Sequence, residues 1–252
     1  MKKLLALMLA LLMVFAFCGC GEEAVEENTE EVKVLTMGTN AAFPPYEMVD
    51  EDGTIIGIDA EIAAAIAEKM GMTLEIKDMA FDSLITAVSS GAVDVVLAGM
   101  TVTEERMEAV NFSDSYATSI QVVIVTEDSE IATIEDLTGK KIGVQTGTTG
   151  DIYCSDEFGE EAIARYDNGA IAVQALQNGQ VDCVVIDNEP AKAFVEANEG
   201  LKILETEYAV ENYAAAIAKE NTELLDAFNA ALAELQADGT IDTIIGKYIS
   251  AE

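Results

Sequence analysis

The sequence predicts an α/β protein built of two lobes, each a mostly parallel sheet flanked by helices. Three observations carry that prediction. From Val32 onward, short apolar runs alternate with amphipathic helical patterns in strand–helix–strand–helix–strand order. Near Gln121 the pattern restarts and runs through a second series of strands and helices. The length of 252 residues suits one large domain or two lobes of about 100 residues each.

Val32 to Met37 reads as the first strand. Asp59 reads as the N-cap of a helix running to Met70, with Ile62, Ile66 and Met70 on one face and Gly71 as its stop. Thr73 to Lys77 alternates as a strand, Asp82 caps a second helix ending at Gly91, and Val93 to Ala98 is the next strand. In the second series, Gln121 to Thr126 is a strand and Ile134 to Gly139 a turn. Lys141 to Gln145 is a strand that enters the loop Thr146 to Gly150. A helix from Gly169 to Asn178 stops at Gly179, and Val181 to Ile186 is again a strand. Ala214 to Ala218 forms a further strand, followed by a long helix from Thr222 to Ala237 and a short one from Ile241 to Tyr248. This C-terminal segment is expected to return to the first lobe. No short-period repeat interrupts the series.

Composition narrows the chemistry. The formal charge is −34, a surface that repels nucleic acid and anionic headgroups, so no nucleic-acid partner is expected. Solubility alone accounts for such acidity; an attractive field for cationic ligands is the sharper alternative. Histidine is absent, which excludes His-based triads, a His general base and His-ligated metal sites. The cysteines are Cys18, Cys20, Cys154 and Cys183, with no paired CxxC sets, so no zinc ribbon and no other metal or cofactor site is expected. Cys154 and Cys183 are either buried small apolar residues or a disulfide of the second lobe.

The N-terminus reads as an address. Lys2-Lys3 precedes Leu4 to Phe17, an apolar run of 14 residues. That is short of the roughly 20 residues that span a bilayer and matches a signal-peptide core. The run ends in Phe17-Cys18-Gly19-Cys20, which resembles a lipobox, with phenylalanine where leucine is usual. Residues 1–20 are therefore expected to be a lipoprotein signal with Cys20 as the lipidated residue; an ordinary secretory signal is the alternative. Residues 21–31 carry six glutamates and read as an acidic tether, holding the folded part near, but not in, a membrane.

Ligands of open α/β sheets sit beyond the carboxyl ends of the strands. Asn40, Gly99 to Thr101, Gln145 to Thr149 and Asp187 all fall at such ends. Gly99, Met100 and Thr101 close an apolar run just before a helix bearing Arg106, whose planar fork of donors matches a carboxylate. The competing reading of Arg106 is a surface residue pairing with Glu105, and Thr101 and Thr103 also read as helix caps. Asp187 follows Val181 to Ile186 and suits an ammonium group, or it is the N-cap of a helix starting near Pro190. The loop Gly147-Thr148-Thr149-Gly150 offers backbone N–H groups at a helix start, favourable for an anion, or is a plain tight turn. It lacks the GxxxxGK[ST] pattern of a nucleotide-binding loop. Phe43, Tyr46 and Phe81 are core residues or walls of a cleft.

With these residues in hand, the chain resembles the family 3 solute-binding proteins of amino-acid ABC transporters, from Val34 to Ile249. The resemblance is carried by GTNAAFPPYE at Gly38 to Glu47, IGIDAEIAAAIAEKMG at Ile56 to Gly71 and FDSLITAVSSGAVDVVLAGMTVTEER at Phe81 to Arg106. NFSDSY at Asn111 to Tyr116 and ADGTIDTIIGKY at Ala237 to Tyr248 extend it. It implies a two-lobed, type II periplasmic-binding fold, with lobe 1 formed by residues 32–118 and 214–252 and lobe 2 by 119–213. The crossovers would lie near Ala117 to Gln121 and Glu211 to Ala214. The resemblance makes Arg106 the α-carboxylate ligand, assisted by the N–H groups of Thr101 and Thr149. Asp187, the Gly99 carbonyl and the Thr101 hydroxyl would hold the α-ammonium. Phe43 and Phe81 would flank the ligand side chain, and Asn40, Gln145 and Ile186 would line its far end. Asn40 stands where many relatives carry aspartate.

The implied function is an extracytoplasmic receptor that closes on a free, polar or basic amino acid and hands it to a membrane permease. It would act as a monomer, lipid-anchored at the outer face of the cell membrane or in the periplasm, and would not be an enzyme. A dehydratase-like enzyme on the same scaffold and a ligand-sensing receptor are the alternatives. An intact Arg106/Asp187 clamp leaves little reason for a catalytic carboxyl in the cleft.

Overall fold

Two parallel three-stranded flanks meet across a pair of long antiparallel strands, and this arrangement places the site. The computed structural model describes residues 33–204 and 208–249. The expected signal segment, Cys20 and the acidic tether lie outside the described residues. No described helix is long and apolar enough to cross a membrane.

In chain order the first elements are strands β1 (Val34–Thr39), β2 (Ala42–Phe43), β3 (Glu47–Val49) and β4 (Ile55–Ile56) and helix α1 (Ile58–Lys69). Strand β5 (Thr73–Asp78), helix α2 (Leu84–Ser89), strand β6 (Val95–Val96) and helix α3 (Glu104–Ala109) follow. Strand β7 (Val110–Thr126) leads to β8 (Ile142–Gln145), α4 (Thr149–Phe158), β9 (Ile163–Tyr166) and α5 (Gly169–Gln177). The chain then forms β10 (Cys183–Asp187), α6 (Asn188–Ala197), β11 (Leu201–Ile203) and β12 (Ala209–Ala218), and closes with α7 (Thr222–Ala237) and α8 (Thr240–Tyr248).

The main sheet runs β5-β1-β6-β12-β7-β10-β8-β9, with β11 also paired to β7. Pairing is parallel on both flanks, β1 with β5 and β6, and β8 with β9 and β10. The centre departs from the expected parallel order: β6/β12, β12/β7 and β7/β10 are all antiparallel. The cause is β7. The sequence predicts a strand only from Gln121, whereas the extended chain begins at Val110 and runs for 17 residues. Its first part pairs with the end of β12, and its last part pairs with the start of β12 and with β10 and β11. Register shifts beside Ala214 bend that ribbon where it passes from one flank to the other.

Local chemistry explains most boundaries. α1 begins one residue before the predicted cap: Gly57 is its N-cap, and Asp59 lies in the first turn. Gly57 has φ 129°, and a Cβ there would sit 2.3 Å from the Tyr46 carbonyl oxygen, so the close approach requires glycine. Asp59 is fully buried and turned toward Gly99 and Tyr116, which is why it does not cap. Asp82 likewise sits inside a 3-10 turn, Phe81–Ser83, and the helix proper starts at Leu84. Asn221 caps α7 as an acceptor for the Leu224 N–H at 3.3 Å. α7 and α8 pack on α1, so the C-terminal segment returns to the first flank. There Tyr248 Oη donates to Glu61 at 2.7 Å and Lys247 pairs with the same carboxylate.

One core cluster joins both flanks, from Leu35, Ile62 and Ile66 through Tyr213 to Val184 and Phe194. A second, on β8 and β10, holds Cys154 and Cys183, both free and buried; no disulfide joins them. Burial raises the Cys154 thiol to about 12, so it stays a neutral apolar group.

Candidate ligand-binding site

The carboxyl ends of strands from both flanks face one cavity. Asn40, Phe43, Phe81, Gly99, Thr101 and Arg106 line it from the first flank, and Gln145, Thr148, Thr149 and Asp187 from the second. Glu47 and Ala98 line it as well. Of the sequence-predicted residues, Ile186 and Met100 do not: Ile186 packs into the main core beside Gly169, and Met100 turns away from the cavity. Its side chain is buried with Leu84, Val88 and Val96 because successive side chains of an extended segment point to opposite sides.

Arg106 is 8% exposed, which rules out the surface alternative. α3 positions it: Thr103 Oγ accepts the Arg106 backbone N–H at 3.1 Å and fixes the helix start. Its Nη1 donates to the Thr101 carbonyl at 2.7 Å and its Nη2 to the Gly147 carbonyl at 3.1 Å. The guanidinium carbon lies 5.4 Å from the centre of the Phe81 ring, a cation–π contact. A guanidinium has five N–H donors, so these two bonds leave about three for a ligand. Burial pulls its pKa down, while the Glu211 and Asp187 carboxyls pull it back up.

Asp187 occupies the N-cap position of α6 but makes no capping bond. Its Oδ2 accepts from Gln121 Nε2 at 2.8 Å, and Tyr213 Oη donates to Oδ1. Burial first, then the neighbouring Glu211, raise its pKa to about 7 against the donors Tyr213, Ser119 and Gln121. Glu211 completes this network: its Oε2 accepts from Thr101 Oγ1 at 3.1 Å and Gln121 Nε2 at 3.0 Å. Thr101, on the first flank, is thereby tied to the β7–β12 ribbon.

Thr148 is the N-cap of α4, accepting the Asp151 N–H at 3.3 Å, and Thr149 opens that helix. Unbonded N–H groups of a helix start favour an anion beside Arg106. At the other side Gln145 Nε2 donates to Asn40 Oδ1 at 2.9 Å, and Asn40 Nδ2 donates to the Met79 carbonyl at 2.9 Å. The Gln145–Asn40 and Arg106–Gly147 bonds both cross between flanks. In this arrangement the cavity is nearly closed, so the walls must part to admit an amino acid.

Gly99 needs its glycine. With φ +51°, a Cβ there would lie 2.8 Å from the Phe43 ring, and its N–H donates to Asp59 Oδ2 at 2.7 Å. Among the described residues no group of three or more His, Cys, Asp or Glu side chains is placed to hold a metal ion.

The sequence profile of the bacterial extracellular solute-binding proteins, family 3, matches residues 35–251. The chain belongs to that family. The arginine-binding extracellular protein ArtP of Bacillus subtilis (strain 168) is 35% identical over 261 aligned positions that cover 100% of both chains. A solved structure of an ancestral arginine-binding protein bound to glutamine superposes with a TM-score of 0.83 at 43% identity, covering 88% of this chain and 100% of that one. The arginine-, lysine-, histidine-binding protein ArtJ from Geobacillus stearothermophilus gives a TM-score of 0.83 at 33% identity, covering 87% of this chain and 96% of that one. The fold of this solute-binding protein is accordingly the two-lobed periplasmic type, with two crossovers between lobes.

Three residues of this solute-binding protein escaped the sequence reading: Glu47, Gln121 and Glu211. Gln121 opens the apolar run Val122 to Val125, and Glu211 stands with Asn212 in a strand whose other residues are apolar or aromatic. A polar residue set among the apolar residues of a strand is the signal that marks both. Glu47 gave no such signal, because glutamate beside Met48, Val49 and Asp50 reads as the start of a surface turn.

Proposed function

We propose that the protein is the extracytoplasmic substrate-binding component of an amino-acid ABC transporter. It binds a free amino acid between its lobes and presents the closed form to a membrane permease. The observation that carries this reading is the meeting of Arg106 and Asp187, from opposite flanks, at one cavity. Arg106 with the start of α4 suits an α-carboxylate, and Asp187 with Thr101 suits an α-ammonium. A zwitterion satisfies both ends only when the lobes are together, so its differential contacts favour closure.

In this reading residues 32–118 and 214–252 form lobe 1 and residues 119–213 form lobe 2. Phe43 and Phe81 flank the ligand side chain, and Asn40, Gln145 and Glu47 face its far end. A polar or basic amino acid fits that lining, and the relatives named for arginine support the same class. The protein binds rather than transforms its ligand and acts as a monomer. Residues 1–20 direct export, Cys20 carries lipid, and residues 21–31 tether the folded part to the membrane.

A thermal-shift screen with the common amino acids tests the reading. At a thousandfold excess over the dissociation constant a true ligand stabilises by roughly 4 kcal/mol, a shift that is readily seen. A flat response to all of them counts against the proposal.

A further inference from the structure

Glu47 is the first residue of β3, is 0% exposed, and lines the cavity. Neither of its carboxyl oxygens receives an N–H or O–H from the described residues. Asp59 lies beside it: the Asp59 backbone N–H donates to the carbonyl of Tyr46, the preceding residue, at 2.9 Å, and of the charged groups around Glu47 the Asp59 carboxyl acts on it most strongly. Asp59 is equally buried; its Oδ2 accepts the Gly99 N–H at 2.7 Å and the Tyr116 hydroxyl at 2.9 Å, while Oδ1 receives neither. Two facing carboxylates are both acceptors, so a bond between them needs a proton, and two buried negative charges side by side are strongly disfavoured. Among the described residues lining the cavity, Arg106 is the cationic one, and it is directed to the Thr101 and Gly147 carbonyls.

We propose that Glu47 and Asp59 share a single proton in the unliganded protein and release it to the buffer when the cationic end of a basic amino acid enters beside Glu47. The pair thus selects charged over neutral side chains by proton exchange. No covalent bond changes; one positive charge leaves as another arrives. The inference rests on the reading of this cavity as an amino-acid site.

The surroundings favour that exchange. Burial first, then Asp59, Asp187 at the end of β10 and Asp78 at the end of β5 hold the Glu47 carboxyl well above its ordinary range. Burial raises Asp59 to about 6, opposed by the Gly99 N–H and the Tyr116 hydroxyl. Tyr46 and Tyr116, the phenols that face the pair, are pushed up by burial and stay neutral, and Glu189 acts on Tyr46 from α6. Among the described residues, the charged and ionisable groups that act most on the pair are acids and neutral phenols, so an incoming cation is met by negative charge at this end.

Calorimetric titration of the full chain at pH 7, in buffers of different ionisation enthalpy, tests the proposal with arginine and glutamine as probes. Asp187 also titrates near neutrality, but an α-ammonium affects it equally for both probes, so the difference between them isolates the Glu47–Asp59 pair. Arginine is expected to release about one proton more than glutamine. In Glu47→Gln that difference vanishes and the preference for arginine over glutamine falls about tenfold or more. Equal proton release by the two probes in the native protein overturns the inference and leaves the amino-acid site standing. Binding of neither probe, nor of any amino acid, overturns both. The native proton count decides the matter even where Glu47→Gln fails to fold.

Discussion

Arg106 is the residue on which recognition turns, because its charge, its fork and its place on α3 all face the cavity. Removing it leaves the start of α4 as a carboxylate partner without a cation. Truncating one member of a buried, hydrogen-bonded charge pair costs roughly 2–5 kcal/mol in binding, so Arg106→Ala should lose on the order of a hundredfold or more in affinity. At the same arginine concentration the thermal shift should fall to about a third or less, while the unliganded variant still unfolds cooperatively. A normal shift would remove Arg106 from the carboxylate role. Arg106 and Asp187 were legible in the sequence because Asp187 ends an apolar strand and Arg106 lies on the helix that follows one, where a ligand meets an open sheet. Gln121 and Glu211 were not, because their meaning lies in partners far along the chain, and Glu47 was not, because the local pattern around it gives no sign of burial. Gln121 meets Glu211 across 90 positions, and Thr101 meets it across 110.

Legibility among the elements followed length and periodicity. α7 was read with its observed bounds, Thr222 to Ala237, since a 16-residue amphipathic pattern with an Asn cap has several turns to declare itself. The strands β2, β3, β4 and β11 were missed because each has two or three residues, too few to show alternation. β9, with four residues, failed for the same reason. The β7–β12 ribbon was half seen: its apolar ends were assigned as strands, while the polar stretch Asn111 to Ser119 was not. That stretch is held by cross-strand pairing rather than by its own burial pattern. α7 also fastens the C-terminus to the first flank through Phe228 and Leu232, both 0% exposed. Leu232→Ala should cost about 2–5 kcal/mol through lost transfer energy and the cavity left behind. Urea unfolding should show a lower midpoint at unchanged slope, and a loss below about 1 kcal/mol would mean that α7 is peripheral to the core.

For the molecule as a whole, the buried acids invert the usual response to pH. Asp187 and Asp59 titrate near 7 and 6 in the folded protein, and Glu47 is raised as well. Unfolded carboxyls titrate near 4, so between about pH 4 and 7 the folded state holds protons that the unfolded state has lost. Stability contributed by these groups is therefore full below about pH 4, declines as pH rises through 6 and 7, and for Glu47, which holds its proton past the others, goes on declining above that. The net charge of −34 acts in the same direction, since acidification relieves self-repulsion. On the acid side, exposed Asp136 and Asp238 have lowered pKa values, and their weak contributions fade as pH falls through them. The melting temperature of the unliganded protein should thus be higher at pH 5 than at pH 8, by several degrees. Salt separates the two causes: 0.5 M sodium chloride shortens the screening length to about 4–5 Å and suppresses the surface part, leaving the buried part. Asp187→Asn should flatten the slope that survives in salt, because the amide carries no titrating proton. A melting temperature that is level or rising from pH 5 to pH 8 in high salt would show that these carboxyls are ionised in the folded state, and the neutral acids placed around the cavity would have to be abandoned.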